Sequence, residues 1–516
     1  MVKRAQRLRS HEMSARPPLE RLLVPVRTIR SRPSAATLAR HPAALVLLPA
    51  APSRADWAAL GDGSAALRRA FAAKRRRPGD AFTGSIGAHG GTRVAVAIID
   101  AAMSPYERLL AAGKAARAAL EDSPRRVLLL AQGLAPELAV AALRAGVAAL
   151  QAAAFRLPNF KAEQPGAPLE RIALAAPARP PGLERELASA AGNNLARWLT
   201  ALPPNLLDAA AYRRLLAGYA RRNGLKFEFY DEARLRRLGA GAFLAVARGN
   251  AARDAGIARL SYRPRGAGRA DVCLVGKGIC FDTGGTNLKA HAGMLEMHTD
   301  MQGSAVALGC LHALHTLGER TAVDCWLAIT ENRIGPTSYL PQEVVRAHDG
   351  TTIQVIHTDA EGRMVLADAL SLAAATRPRA IIDYATLTGA CVRALTERYS
   401  GAFTNRLATR DAIESAGVAS GERVWCFPMD RDYDTDLDSA IADVLQCSVD
   451  GKGDHILAAR FLSRFVPREV AWLHLDLAAG QRRGGLAHVG TDVTGFGVRF
   501  TLELLARRWP RAPGTA

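Results

Sequence analysis

Asp282, Asp300, Asp359 and Glu361 fall in two short stretches of the chain's second half, with Lys277 and Lys289 among them. The first stretch reads Gly276-Lys277-Gly278-Ile279-Cys280-Phe281-Asp282-Thr283-Gly284-Gly285-Thr286-Asn287-Leu288-Lys289, and Asp300 follows eleven residues on. The second reads Thr358-Asp359-Ala360-Glu361-Gly362-Arg363. Carboxylates gathered at the apolar ends of strands are costly to desolvate unless something cationic satisfies them. Two lysines and one arginine do not account for the number and placement of these acids. The pattern reads as a holder for a pair of divalent metal ions, with hard oxygen donors for Mg or Mn, or a mixed nitrogen and oxygen set for Zn. Taken singly, each residue has a plainer reading: Asp359 as a helix cap, Asp300 as a solvated helical residue, Lys277 as the partner of an acid.

Other chemistries fail on spacing. No His-Glu-x-x-His helix and no Gly-x-Ser-x-Gly elbow is present. Gly276-Lys277-Gly278 lacks the upstream glycine and the following Ser/Thr of a phosphate loop, and Gly239-Ala240-Gly241 lacks the third glycine of a dinucleotide fingerprint.

The elements that must position these acids follow a βα rhythm. Val272–Val275 reads as a strand entering the first acidic loop, and Met294–Leu317 as a helix carrying Asp300. Ile353–Ile356 reads as the strand before the second loop, Met364–Ala375 as a helix after it, and Ile381–Tyr384 as another strand. Both loops then lie where strands end, the place where open α/β sheets bind ligands. Upstream, Ala43–Leu48, Val94–Ile99, Val127–Leu130 and Ile172–Ala176 read as buried strands, with helices at Tyr106–Leu120 and Pro136–Ala149. The fold class is therefore α/β, an N-terminal domain with a largely parallel sheet beside a larger catalytic domain. The Pro-rich break at 177–182 sets the boundaries: an N-terminal domain at 41–178, a linker helix within 179–202, and a catalytic domain at 203–516.

With 516 residues, 49% hydrophobic and 22% charged, the chain suits two soluble globular domains. No apolar run reaches the roughly 18 to 20 residues a membrane span needs. Seven cysteines without CxxC spacing suit reduced, buried thiols in a cytoplasmic protein. The net charge of +20 has a local source, because residues 1–40 hold ten Lys/Arg against Glu12 and Glu20. That stretch is expected to be a disordered basic leader. A nucleic-acid-binding arm or a transit-like segment is its alternative reading.

Over most of residues 190 to 505 the motifs resemble the leucyl aminopeptidase family of metallopeptidases. The matching residues run from Val275-Gly276-Lys277-Gly278 through Phe281-Asp282, Gly284-Gly285, Lys289, Met297 and Asp300-Met301. They continue with Thr330-Glu331-Asn332, Asp359-Ala360-Glu361-Gly362-Arg363, Ala367-Asp368-Ala369-Leu370 and Ala385-Thr386-Leu387-Thr388-Gly389-Ala390. The resemblance implies an aminopeptidase that releases N-terminal residues from peptides using two divalent ions, Zn or Mn, with Mg an option at a looser site. It puts the ligands at Lys277, Asp282, Asp300, Asp359 and Glu361, with Asp282 and Glu361 bridging, and the catalytic cations at Lys289 and Arg363. Bicarbonate on Arg363 is the family's proton carrier. Met297, Thr386, Leu387 and Gly389 fall at the side-chain pocket, which favours Leu- or Met-like residues. A homohexamer is implied as well, and a DNA-binding or regulatory role, known within the family, is the alternative function. The chain departs from the family pattern at Thr283, Asn287, Ala290, His298, Gln342-Glu343 and Gly451-Lys452-Gly453-Asp454-His455. None of these removes a ligand, but Asp454 or His455 stands where it could restrict the entrance or select a polar side chain.

Overall fold

In a computed structural model of the chain, the described residues are 21–30, 35–61, 63–74, 76–86, 91–163 and 166–510. Two sheets organise them. The first joins β1 (Val26–Ile29), β2 (Ala43–Pro49), β3 (Ala81–Ile86), β4 (Thr92–Ile99), β5 (Arg126–Ala131) and β6 (Arg171–Ala175) in the order β1-β6-β5-β2-β4-β3. Every pairing is parallel except β3 with β4. The Val/Leu/Ala runs of β2, β4 and β5 are buried on both faces, as strands covered by helices on each side must be.

Edge strand β1 corrects the expected leader, since Val26 pairs with Ile172 inside the stretch read as disordered. Leu22 is also buried, and its carbonyl accepts a hydrogen bond from Asn194 Nδ2 at 2.8 Å. The leader's first twenty residues lie outside the described residues. The helix Pro136–Ala154 is long and apolar enough to cross a membrane by length and composition, but its Ala142–Ala152 stretch is buried within the protein. The cysteines match their reading: all seven are free and buried.

The second sheet is mixed and has eight strands. It comprises β7 (Lys226–Asp231), β8 (Gly256–Tyr262), β9 (Val272–Asp282), β10 (Val323–Asn332), β13 (Ala380–Ala385), β14 (Ser400–Thr404), β15 (Val424–Cys426) and β17 (Ala471–Asp476). Their order is β15-β14-β17-β13-β9-β10-β8-β7, and the central four, β17-β13-β9-β10, run parallel. Two apolar cores cover its faces.

The strand before the second acidic loop belongs elsewhere. β12 (Thr352–Gln354) pairs with β11 (Val344–Arg346) and β16 (Val444–Leu445) in a separate three-stranded sheet. The long helix expected at 294–317 also breaks. His291–Met294 and the 3-10 turn Met297–Thr299 precede the helix Gln302–Leu317, so Asp300 sits in the turn before that helix.

The helix read as a linker, Leu183–Thr200, packs along Gln302–Leu317 and is almost wholly buried. The two backbones touch at paired glycines: a Cβ on Gly192 would lie 2.3 Å from Gly309 O. Gly192→Ala is therefore expected to destabilise the fold by about 1–3 kcal/mol, as overpacking does. A denaturant midpoint equal to the parent's would refute that close crossing.

Candidate active site

β9 brings Lys277 to the face covered by the helix Glu361–Ala374. The helix begins with Glu361-Gly362-Arg363, and a Cβ on the glycine would stand 2.6 Å from Lys277 Cε, so a larger residue there would displace the end of that side chain. With that space open, Lys277 Nζ lies 2.8 Å from Asp300 and 2.9 Å from Glu361 Oε1, and donates to Thr386 O at 3.0 Å. The Thr386 hydroxyl donates to Asp300 Oδ1 at 2.6 Å. Burial alone would drive Lys277 toward the neutral amine, but Asp300, Glu361 and Asp282 outweigh it and hold its proton.

At the end of β9, Asp282 Oδ1 accepts from Gly284 N and from Asn332 Nδ2, each at 2.8 Å. Lys289 Nζ lies 3.0 Å from Asp282 and 2.5 Å from Asp359. Oxygens of Asp282, Asp359 and Glu361 all come within 4.8 Å of one another. Such crowding favours protonation. Burial, with Asp282's charge adding to it, pushes Glu361 up to about 8, and the same two causes raise Asp359. Burial likewise lifts Asp300 to about 6 against the pull of Lys277. Glu361 Oε2 is buried and, among the described residues, has no hydrogen-bond partner. Four converging carboxylates, two ammonium groups and an unpaired buried oxygen fit divalent cations.

The sequence reading left several supporting residues out of the site. Thr358 Oγ1 accepts from Asn287 N at 2.8 Å and donates to Gly284 O at 2.6 Å, while Asn287 Oδ1 accepts from Thr358 N at 2.9 Å. Tyr339 and Asn332 both donate to Thr358 O, at 2.7 and 3.0 Å. Asn287, a departure from the family pattern, thus cross-links the two acidic loops. The motif Thr330-Glu331-Asn332 was the available signal for Asn332; nothing in the sequence pointed to Tyr339.

Arg363 is buried at the helix start and already has an acid beside it: its Nη2 donates to Asp454 Oδ1 at 2.7 Å. A cleft of about 1030 Å³ is lined by every predicted site residue, from Lys277, Asp282 and Lys289 to Met297, Leu387 and Gly389. Thr386 does more than line it, since it is bonded to both Lys277 and Asp300.

Fold and site together define a hydrolase that works with metal. The profile of the cytosol aminopeptidase family, catalytic domain, matches residues 194–502. A probable cytosol aminopeptidase of Parasynechococcus marenigrum is 40% identical over 400 residues, covering 75% of this chain and 80% of that one. Another, of Polaromonas naphthalenivorans, is 38% identical over 392 residues, 74% of each. Among solved structures, the bottromycin maturation enzyme BotP in complex with Mn superposes with a TM-score of 0.79 and 31% identity, over 91% of this chain and 99% of BotP. A tomato leucine aminopeptidase variant gives a TM-score of 0.80 and 27% identity, over 94% and 96%. The chain belongs to the cytosol aminopeptidase family. It is a metallo-aminopeptidase, a peptide hydrolase whose family uses two divalent ions, Zn or Mn.

Proposed function

We propose that the enzyme releases N-terminal Leu- or Met-like residues from peptides. In this reading Lys277, Asp282, Asp300, Asp359 and Glu361 hold two ions, and Lys289 and Arg363 act as the catalytic cations. The observations that carry it are the convergence of Asp282, Asp359 and Glu361 within 4.8 Å of one another and the buried Glu361 Oε2, without a hydrogen-bond partner among the described residues. Ions bound there would make water acidic enough to attack at neutral pH and would offset charge developing on the substrate oxygen.

The chain's own groups do the rest. Asp282 and Glu361 would help to hold both ions. Lys277 would hold one ion as an uncharged amine, since a neighbouring dication favours loss of its proton. Asp300 shares that position and helps to place the substrate's free α-amino group, and Asp359 serves the other. Lys289, held protonated by Asp282 and Asp359 despite partial burial, faces the oxyanion of the tetrahedral intermediate. Arg363 keeps an anion beside the reacting centre. Met297, Leu387 and Gly389 give the cleft an apolar wall for the first side chain.

A cytoplasmic homohexamer belongs to the same reading. The nucleic-acid alternative gains no support, and Lys3, Arg4, Arg7, Arg9 and Arg16 of the basic leader lie outside the described residues. Hydrolysis of aminoacyl p-nitroanilides by metal-stripped enzyme, reloaded with Zn, Mn or Mg, tests the proposal. Leu and Met substrates are expected to exceed Ala by at least about tenfold in kcat/KM. A lead for Lys or Glu substrates would sink the specificity, and no hydrolysis with any of the metals would sink the whole reading.

A further inference from the structure

A buried guanidinium needs an anion, and Arg363, with 2% of its side chain exposed, has one supplied by the chain itself. Asp454 Oδ1 accepts from Arg363 Nη2 at 2.7 Å, and Gln446 O accepts from Nη1 at 3.3 Å. Nε has no hydrogen-bond partner among the described residues. Asp454 is the first residue of the helix Asp454–Ser463, entered through Gly453 at φ 60°. A carboxylate in a first helical turn is favoured by the free N–H groups there. Its side chain keeps 25% exposure and lines the same cleft as Lys277, Asp282 and Lys289. Lys452, the nearest lysine in sequence, is paired with Asp450 at 2.8 Å instead.

We infer that Asp454 is the resident anion of Arg363, occupying from within the chain the position that dissolved bicarbonate would otherwise fill. A carboxylate and bicarbonate present the same planar pair of oxygens to a guanidinium, so they compete for one face. The inference rests on the aminopeptidase reading, in which an anion on Arg363 is needed for turnover. It gives Asp454 the place of the family's proton carrier, held there by Arg363, and it makes the enzyme indifferent to added bicarbonate.

The test uses full-length Mn-loaded enzyme and Leu p-nitroanilide in bicarbonate-depleted buffer, with bicarbonate or formate then added back. Wild type is expected to change in rate by less than about twofold, whereas Asp454→Ala loses about ten- to a hundredfold in kcat with KM moved less than about threefold. Bicarbonate and formate should restore most of that loss, which a purely structural role for Asp454 would not allow. Asp454→Asn keeps the side chain's shape without its charge, so it should lose kcat while staying folded by circular dichroism, even if it melts lower than wild type and the alanine variant folds poorly. Wild type stimulated by bicarbonate, an unimpaired Asn variant, or an alanine variant that neither anion rescues would each overturn the inference. Absence of all hydrolysis by wild type would overturn the aminopeptidase reading with it, whereas hydrolysis with bicarbonate stimulation overturns this inference alone.

Discussion

Chelation of the enzyme should abolish hydrolysis, and Mn or Zn should restore it. The expectation follows from charge. Asp282, Asp300, Asp359 and Glu361 share a small volume in which Lys277 and Lys289 pair with them. Without a dication the cluster keeps its lysines protonated and its acids partly so, the directions in which burial and mutual repulsion drive Glu361, Asp300 and Asp359. That arrangement has no means of activating water. Stability should fall together with activity, because an ion that binds only the folded chain adds about 2.7 kcal/mol at a hundredfold excess over its Kd. Two measurements decide it: rate and melting temperature, each before and after reloading. Full activity in thoroughly stripped protein, or a melting temperature insensitive to Mn, would refute the assignment of these acids as ligands.

Replacing either of the cations proposed to be catalytic should have the next largest effect. Lys289→Ala and Arg363→Ala are each expected to lower kcat by at least about two decades, the scale of a lost oxyanion contact. Lys289 is only partly buried and contacts the acids through its terminal nitrogen, so its truncation removes positive charge from the cleft while leaving the packing of β9 intact. In a chain that still binds metal, that separates catalysis from assembly. Arg363 is buried, and its loss leaves Asp454 without its partner, so circular dichroism must accompany the kinetics. Near-normal turnover in either variant would remove that residue from the mechanism.

Much of this arrangement was legible in the residues. Strands such as Ala43–Pro49 and Ala380–Ala385 are short, apolar and bounded by turn formers, and they appear within one or two residues of their expected ends. The acids converge as their motif implied. Long-range pairing was not legible. β1 is a four-residue edge strand whose partner lies 146 positions away, so nothing local marks it out from a basic leader. Ile353–Ile356 was legible as a strand, but its apolar run says nothing about which neighbours it will meet, and β12 pairs in the separate three-stranded sheet. The helix expected through Asp300 breaks because that carboxylate must turn back to Lys277 and Thr386, a tertiary demand that overrides local helix propensity. The Asp454 contact with Arg363 spans 91 positions; only the unusual Gly451–His455 segment hinted that something there had changed.

Thr358 carries a wider consequence. One hydroxyl and one amide clasp Gly284 and Asn287 on the first loop, while Tyr339 and Asn332 grip the adjoining carbonyl. Asp282 and Asp359 are therefore mounted on a single bracket rather than on two independent arms. A disturbance of one loop is transmitted to the other, so ions held by these acids would be assembled, and lost, in concert.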